Sequence, residues 1–554
     1  MPLLIQADLD RKLRIWLHRL VSASPPKVTN KPILCLNIST IDHIIQLDTN
    51  LLKTGIQLAA KHDKCSRDEV VFALQQAKQK GVPKERKAVT ATHILESLVS
   101  RMTHQTNAGD RIQISSDTPE ILDFLHDWFH SQLETQQQVQ PGGAPAIIAQ
   151  ALTQLGEYKT ALWTRDHSQG QALVFDEQVK FLVLENGSSP IAKPIHNTGR
   201  ANDPEIHNYS LEFAMDCEYE LRRADGTSVI VSATTADRVI AISPGYQYFD
   251  PETGHVITSK THLPTPISHI LTTCQNQVST FVPKVAQEYK HWVIGGLHKV
   301  SHPFAQEALE KDLQQISPDV TLHTEISGPE VSTWFQRILQ HYVNSIGVNI
   351  DDIEQLVQKM KCNGFLHTKP PENTNTSDLR REYLLRLAMW LACELNLERV
   401  YVHGRELDYI VRSDATDEEM NHEVSADLLA KIVVTNRAQD TSVDDRPPGI
   451  FGLSASNLMA FIELCWQRAF PLQTWGATLD GLTEFHPILD RGWFDDTFVS
   501  NDKAVKFRVA VVPVALFRLD PPGLKFVGAG DTTSAVSFVF GHFTTQRYKR
   551  ASSS

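Results

Sequence analysis

Strand-like runs alternating with helix-like ones predict an α/β fold, a body built on a central, mostly parallel sheet with helices on both faces. The observation lies in the second half of the chain. From residue 286 onward HWVIGGLH, DVTLHTEIS, RVYVHG and VAVVPVALF read as strands. EALEKDLQQI, STWFQRILQHYVNSI, DIEQLVQKM and LLRLAMWLACELN read as helices. A second observation marks an insertion: residues 171–245 hold ALVFDEQVKFLVLE, YSLEFAMDCEYEL and SVIVSATTADRVIAI, β-rich runs broken at ENGSS and ADGTS like hairpins. That stretch, with part of 46–138, is expected to form a smaller β-rich lid.

In chain order, MPLLIQADLDRKLRIWLHRL places Leu9, Leu13, Trp16, Leu17 and Leu20 near helical spacing, so an amphipathic helix is expected. Asp8, Asp10, Arg11 and Lys12 interrupt the apolar stretch that a signal peptide needs. KPILCLNISTIDHIIQL (31–47) is the first strong strand, and its Ile33–Leu36 run suits a strand covered on both faces. SQLETQQQVQ leads into PGGAPAIIAQALTQLG, a Gly-Gly turn followed by a helix. The expected organisation is 1–45 for an N-terminal helix and first body strand, 46–138 helical and lid-forming, 139–170 body, 171–245 lid, and 246–554 body. Residues 367–378 and 436–449 read as surface loops, and the acidic run SDATDEEMNHE as a solvated face.

Composition narrows the function. The 554 residues are 41% hydrophobic and 21% charged, ordinary for a globular chain. A formal charge of −12 leaves no cationic excess for nucleic-acid phosphates. The seven cysteines are scattered without a CxxC pair, which suits reduced thiols better than a disulfide framework or a zinc site. No apolar run reaches the length of a membrane span. The expectation is a cytoplasmic monomer with no nucleic-acid or membrane partner.

The chemistry-bearing candidates fall where strands end. Ligands of open α/β sheets gather beyond the carboxyl ends of strands. The loops beginning at Asn37, Gly142, Gly295, His323, Asn349 and Gly528 present Asp42, Gly142 with Gly143, His298, His323 with Glu325, Asn349 with Asp352, and Asp531. FVGAGDTTSAVSF, residues 526–538, reads as a capped turn or as an anion cradle whose helix-start amides bind phosphate beside a carboxylate base. Taken singly, His323 suits a satisfied strand residue, Asn349 a helix cap, Asp42 and Asp110 turn residues, Arg238 an ion pair, and His207 and His298 structural histidines.

The ordered set resembles the ADP-dependent sugar kinases, the glucokinase and phosphofructokinase branch of the ribokinase-like superfamily. The resemblance is distributed over most of the chain: LNISTID, NAGD (107–110), PGGAPAIIAQALTQLG, IHNYSLEF, ADRVIAI, VIGGLH, LHTEIS, NSIGVNIDD and VGAGDTTSA. It implies a Rossmann-type ribokinase-like body with a β-rich lid, and transfer of the β-phosphoryl group of ADP to a hexose. Asp531 would be the base, with Gly528, Ala529 and Gly530 forming the amide cradle. Arg238 would clamp the diphosphate, which His323, Gly528 and Gly530 would also meet. Asn37, Asp42, Asp110, Gly142, Gly143 and His207 would bind sugar. Glu325, Asn349 and Asp352 would offer oxygen ligands to magnesium or another divalent cation.

Three positions depart from the family pattern: Asp352 for a glutamate, Asp110 for the lid glutamate, and Ala144, followed by Pro145, where Asn or Gln is usual. Glucose is the expected acceptor, since Asp110 keeps a charge that repels a sugar phosphate. A 6-phosphofructokinase and a weakly active or non-catalytic regulator of the same fold are the alternatives.

Overall fold

The computed structural model describes residues 15, 32–37, 39–83, 86–104, 111–114, 120–130, 137–154, 159–164, 167–183, 190–201, 203, 207–213, 217–232, 239–243, 246–249, 256–259, 278–300, 303–326, 331–360, 377–404, 407–438, 473–475, 493–500, 503–513, 515–517 and 529–540. Of the expected elements, the N-terminal helix beyond Ile15 and most of both surface loops lie outside these residues.

β1 (Ile33–Asn37) is followed by β2 (Thr40–Gln46), then by helices α1 (Thr49–His62), α2 (Arg67–Lys80) and α3 (Ala91–Thr103). β3 (Arg111–Gln113) and α4 (Glu120–His130) precede β4 (Gln137–Gly142), which turns into α5 (Ala144–Gln154). β5 (Thr160–Thr164), α6 (Gln169–Leu173), β6 (Lys180–Val183) and β7 (Ile191–Pro194) come next. β8 (His207–Glu212), β9 (Glu218–Arg222), β10 (Ser228–Ser232), β11 (Val239–Ser243), β12 (Tyr246–Phe249) and β13 (Val256–Ser259) form a run of strands. Strands and helices then alternate: α7 (Val278–Glu288), β14 (His291–Ile294), α8 (Pro303–Gln314), β15 (Thr321–Ile326), α9 (Thr333–Tyr342), β16 (Ser345–Asn349), α10 (Ile350–Lys359), α11 (Ser377–Glu394) and β17 (Arg399–His403). β18 (Leu407–Ser413), α12 (Asp417–Ala438), β19 (Gln473–Trp475), β20 (Trp493–Ser500), β21 (Lys503–Pro513), β22 (Ala515–Phe517) and α13 (Ala529–Phe540) complete the order.

Eleven strands make the body sheet, ordered β20-β21-β18-β17-β16-β15-β14-β1-β5-β6-β7. From β17 to β6 every pairing is parallel, while β7 and the β18, β21, β20 flank run antiparallel. Strand alternation explains why both faces need cover. On β17, Val400 and Val402 are buried on one face, and Arg399 and Tyr401 are buried on the other. α10 packs against α11, and α12 packs against α13, which also meets α5 and the strands β15 to β17. The expected mostly parallel α/β body is present.

The second unit joins helices α1 to α4 to a five-stranded sheet, β3-β11-β8-β2-β4, with the β9–β10 hairpin beside them. Its core holds Leu51, Ile56, Leu74, Leu98, Phe124, Trp128, Leu211, Leu221 and Ile242, all buried. Local signals start its helices: Ser66 and Glu69 form a capping box for α2, and Thr90 accepts from His93 N–H at α3.

Several expected boundaries move. KPILCLNISTIDHIIQL is two strands in two sheets, since β1 pairs with β5 and β14 while β2 pairs with β4 and β8. Strand β4, expected with the body, lies in the small sheet. KFLV and IAKP, expected in the lid, extend the body sheet as β6 and β7. The small unit is therefore half helical rather than β-rich, because four amphipathic helices cover one face of its sheet. The helix reading of STWFQRILQHYVNSI stops at Tyr342, and Ser345 opens the buried strand β16. SDATDEEMNHE is a solvated face only in part: Asp414, Thr416, Asp417 and Glu418 are exposed, but Glu419, His422 and Glu423 are buried, the last against two buried arginines.

Candidate active site

Asp42 sits on β2, just past the point where the chain leaves the body sheet at Asn37. It is 6% exposed. Thr40 Oγ1 donates to Asp42 Oδ1 (2.8 Å), and Asn208 Nδ2 donates to the same oxygen (3.1 Å) and to Thr40 Oγ1 (3.1 Å). Strand register makes this cluster: Asp42 lies opposite Asn208 on β8 and Gln140 on β4, so all three share one face. Gln140 is buried and its Nε2 has no partner among the described residues, so a donor is left beside Asp42. Gly142 lies opposite Thr40, and a Cβ there would collide with the Asp42 carboxylate and Thr40 Oγ1. Gly143, at φ +80°, makes the turn into α5. The departure at Ala144-Pro145 has a packing partner, since the Pro145 ring lies over Gly295 at the end of β14.

A second cluster occupies the carboxyl ends of the body strands. His323 is fully buried on β15, with Nδ1 2.9 Å from Ser345 Oγ and Nε2 2.7 Å from Glu325 Oε1. Its ring stacks on Phe538 of α13 at 4.7 Å between centroids. Burial lowers the His323 pKa, so the ring is neutral and donates to Glu325 from Nε2. Burial also works to raise the Glu325 carboxyl, but the donors of His323 and His403 outweigh it and hold the group below the usual carboxylate range. Glu325 is thus a buried carboxylate that stays ionised. His403 Nε2, at the end of β17, lies 3.8 Å from Glu325 Oε2. The turn after His403 is held by Gly404 N–H donating to Asp408 Oδ1 (2.8 Å), while the Tyr401 hydroxyl is 2.6 Å from Asp408 Oδ2.

Gly347 makes this packing possible. A Cβ on that residue of β16 would collide with both Glu325 oxygens and with Ser534 Oγ of α13. Gly347→Ala is therefore expected to push the carboxylate and α13 apart. The expected destabilisation is about 1–3 kcal/mol, with a larger proportional loss of turnover. Denaturant titration and steady-state kinetics on one preparation check both parts; wild-type turnover would show that the contact does not matter.

The remaining expected residues divide by location. Asn349 ends β16 in register with His403, and Asp352 falls in the first turn of α10. Ala529, Gly530 and Asp531 are the first three residues of α13. Asn37 ends β1, and His207 opens β8 opposite Ile41. His298 is buried edge-on to Phe335. Asp110, Arg238 and Gly528 lie outside the described residues.

Thr40, Gln140, Asn208 and His403 were missed by sequence reasoning. Thr40 had a signal, since it is two residues from Asp42 and shares its face in a strand. The other three are brought in by strand pairing across long sequence separations, which no local pattern announces.

Among the described residues no three His, Cys, Asp or Glu groups stand together as a metal cage. The donor set fits magnesium all the same, because that ion takes one or two carboxylates and fills its shell with water and phosphate oxygens. Glu325, ionised and rigidly held, suits that part. Among the described residues no helix is long and apolar enough to cross a membrane.

The chain has known relatives in sequence and in fold. Residues 269–540, which include β15, β16 and α13, match the ADP-specific phosphofructokinase/glucokinase conserved region. The chain is 22% identical over 461 residues to the ADP-specific phosphofructokinase of Pyrococcus abyssi, covering 80% of this chain and 85% of that protein. In fold it resembles a hypothetical ADP-dependent phosphofructokinase from Pyrococcus horikoshii OT3, with 16% identity, 93% and 98% coverage and a TM-score of 0.56. It also resembles an ADP-dependent kinase in complex with fructose-6-phosphate and ADPβS, with 16% identity, 98% and 99% coverage and a TM-score of 0.62. With that conserved region in its second half and that fold throughout, the chain resembles the ADP-dependent sugar kinases in sequence and in structure.

Proposed function

We propose that the chain transfers the β-phosphoryl group of ADP to a hydroxyl of a neutral hexose, glucose above others, releasing AMP. The observation that carries the reading is the buried, ionised Glu325, clasped by His323 and packed against the helix that carries Asp531. Phosphoryl transfer asks for positioning and charge stabilisation more than for covalent chemistry.

Asp531 takes the proton of the attacking hydroxyl as its oxygen bonds to the β-phosphorus. The bond from that phosphorus to the bridging oxygen breaks, and AMP leaves with the electron pair. The amides at the start of α13 face the anion, as helix N-termini do. Arg238 holds two diphosphate oxygens with its planar fork. Glu325, with Asn349 and Asp352, would hold magnesium, which when bound neutralises the diphosphate charge.

Support for a neutral acceptor comes from the Asp42 cluster. A hydroxyl and an amide donate to it, and Gln140 offers a second amide beside it. Such a group matches sugar hydroxyls, whereas a buried carboxylate disfavours an acceptor phosphate nearby. Asp110 would add a second negative charge. Fructose 6-phosphate is the competing acceptor, favoured by the names of the relatives above. AMP release measured with glucose and fructose 6-phosphate, each against ADP and ATP, tests the choice. The expected result is kcat/KM at least about tenfold higher for glucose with ADP. The reverse order would assign the phosphofructokinase activity, and no AMP from either would leave the regulator.

A further inference from the structure

Behind Glu325 runs a buried row of polar groups with no part in the chemistry above. Arg399 on β17 is fully buried. Its Nε donates to both oxygens of Glu423 on α12 (3.2 and 3.1 Å), and Arg412 Nη1 holds Glu423 from the other side (2.6 Å). Arg399 Nη1 donates to Ser345 Oγ (3.3 Å), and Nη2 donates to Ser537 Oγ of α13 (2.8 Å). A guanidinium has donors only. Ser345 accepts from it and keeps its own proton for His323 Nδ1, 2.9 Å away, since the Glu325 carboxylate takes the ring proton's side at Nε2. With that nitrogen accepting, the ring proton sits on Nε2, where it faces Glu325 at 2.7 Å. Polar groups behind a ligating side chain set its tautomer and orientation in this way.

We propose that Arg399 is a positioning residue of the kinase site, fixing the His323 tautomer through Ser345 and locking the Asp531 helix to the same frame through Ser537. The proposal rests on reading Glu325 as the carboxylate that meets the metal-bound diphosphate. Its geometry needs a fork: one arm serves Glu423, one Ser345 and one Ser537. A lysine keeps the charge beside Glu423 but cannot serve all three directions.

The test uses the full chain with ring-15N histidine, His323 being assigned through His323→Gln. NMR of the unaltered protein, free of ligands, is expected to show the His323 proton on Nε2. In Arg399→Lys and in Ser345→Ala the ring is expected to become a tautomer mixture. Affinity for manganese–ADP, read by calorimetry, should fall about tenfold, with kcat falling in step and the sugar KM within about twofold of the unaltered value. A His323 proton on Nδ1 in the unaltered chain overturns the proposal. So does an unchanged tautomer with manganese–ADP affinity within about twofold in the folded variants. Should Arg399→Lys not fold, Ser345→Ala and the unaltered chain decide. The NMR signal needs no turnover, so failure of the kinase reading, seen as no AMP from the unaltered chain, is distinguished from failure of this one.

Discussion

Asp531→Asn is expected to lower kcat by about a thousandfold, because a positioned general base contributes roughly 10²–10⁴ to such a step. Asparagine keeps the size and polarity of the third residue of α13, and the helix is anchored further along by Thr533, Ser534, Ser537 and Phe538, all buried. The thermal midpoint should therefore move by no more than about 1–2 °C, within the usual range for a change that removes no core contact. Substrate KM values should stay near those of the unaltered chain, since the base is called on chiefly in the transition state. Turnover, calorimetric melting and nucleotide binding on the same preparation check the three parts. A variant with near-normal kcat would remove Asp531 from the base role, and one that fails to fold would say nothing against the chemistry of the amide cradle.

Glu423→Gln is expected to have the largest effect on stability. The carboxylate lies fully buried between Arg399 and Arg412 and is the partner that offsets two desolvated guanidinium groups. Removing one member of such a buried group leaves uncompensated charge, at a cost of about 3–5 kcal/mol. At roughly 1 °C per kcal/mol for a chain of this size, the melting midpoint should fall by about 3–5 °C. An unchanged midpoint would mean that water or another carboxylate takes over the pairing. Replacing all three charges by apolar residues of similar volume should restore much of the loss, since buried charge groups often confer little net stability over good packing.

The body was legible in the sequence because its parallel strands are short, apolar and separated by helices, the pattern of a sheet covered on both faces. The reading failed where tertiary contacts override local texture. Residues 31–47 read as one strand, yet β1 ends at Asn37 and β2, from Thr40, joins a different sheet. Glu423 looks like part of a charged surface until Arg399 and Arg412, strands away, are placed beneath it. The site was legible to the extent that its groups sit within short motifs: His323 and Glu325 are two residues apart and do meet. Asn208 and Gln140 join Asp42 through pairing partners 166 and about 98 residues away, and pairing is a property of the whole sheet. His403 reaches Glu325 from two strands over, past β16.

Of the chain's passages between the two sheets, the one from β1 into β2 and the one out of β4 lie side by side, Thr40 pairing with Gly142. Asp42 lies two residues past one of these crossings and Gly142 at the other, whereas Glu325 belongs wholly to the body. Any rotation of the small unit about the paired crossings carries Asp42 with it and changes its separation from Glu325. Under the proposed function, occupancy of the hydroxyl site and the angle between the units are variables of a single equilibrium, coupled as reciprocal binding events are. An acceptor that fits Asp42 only at one angle shifts the population toward that angle by its own differential affinity, and no separate trigger is needed.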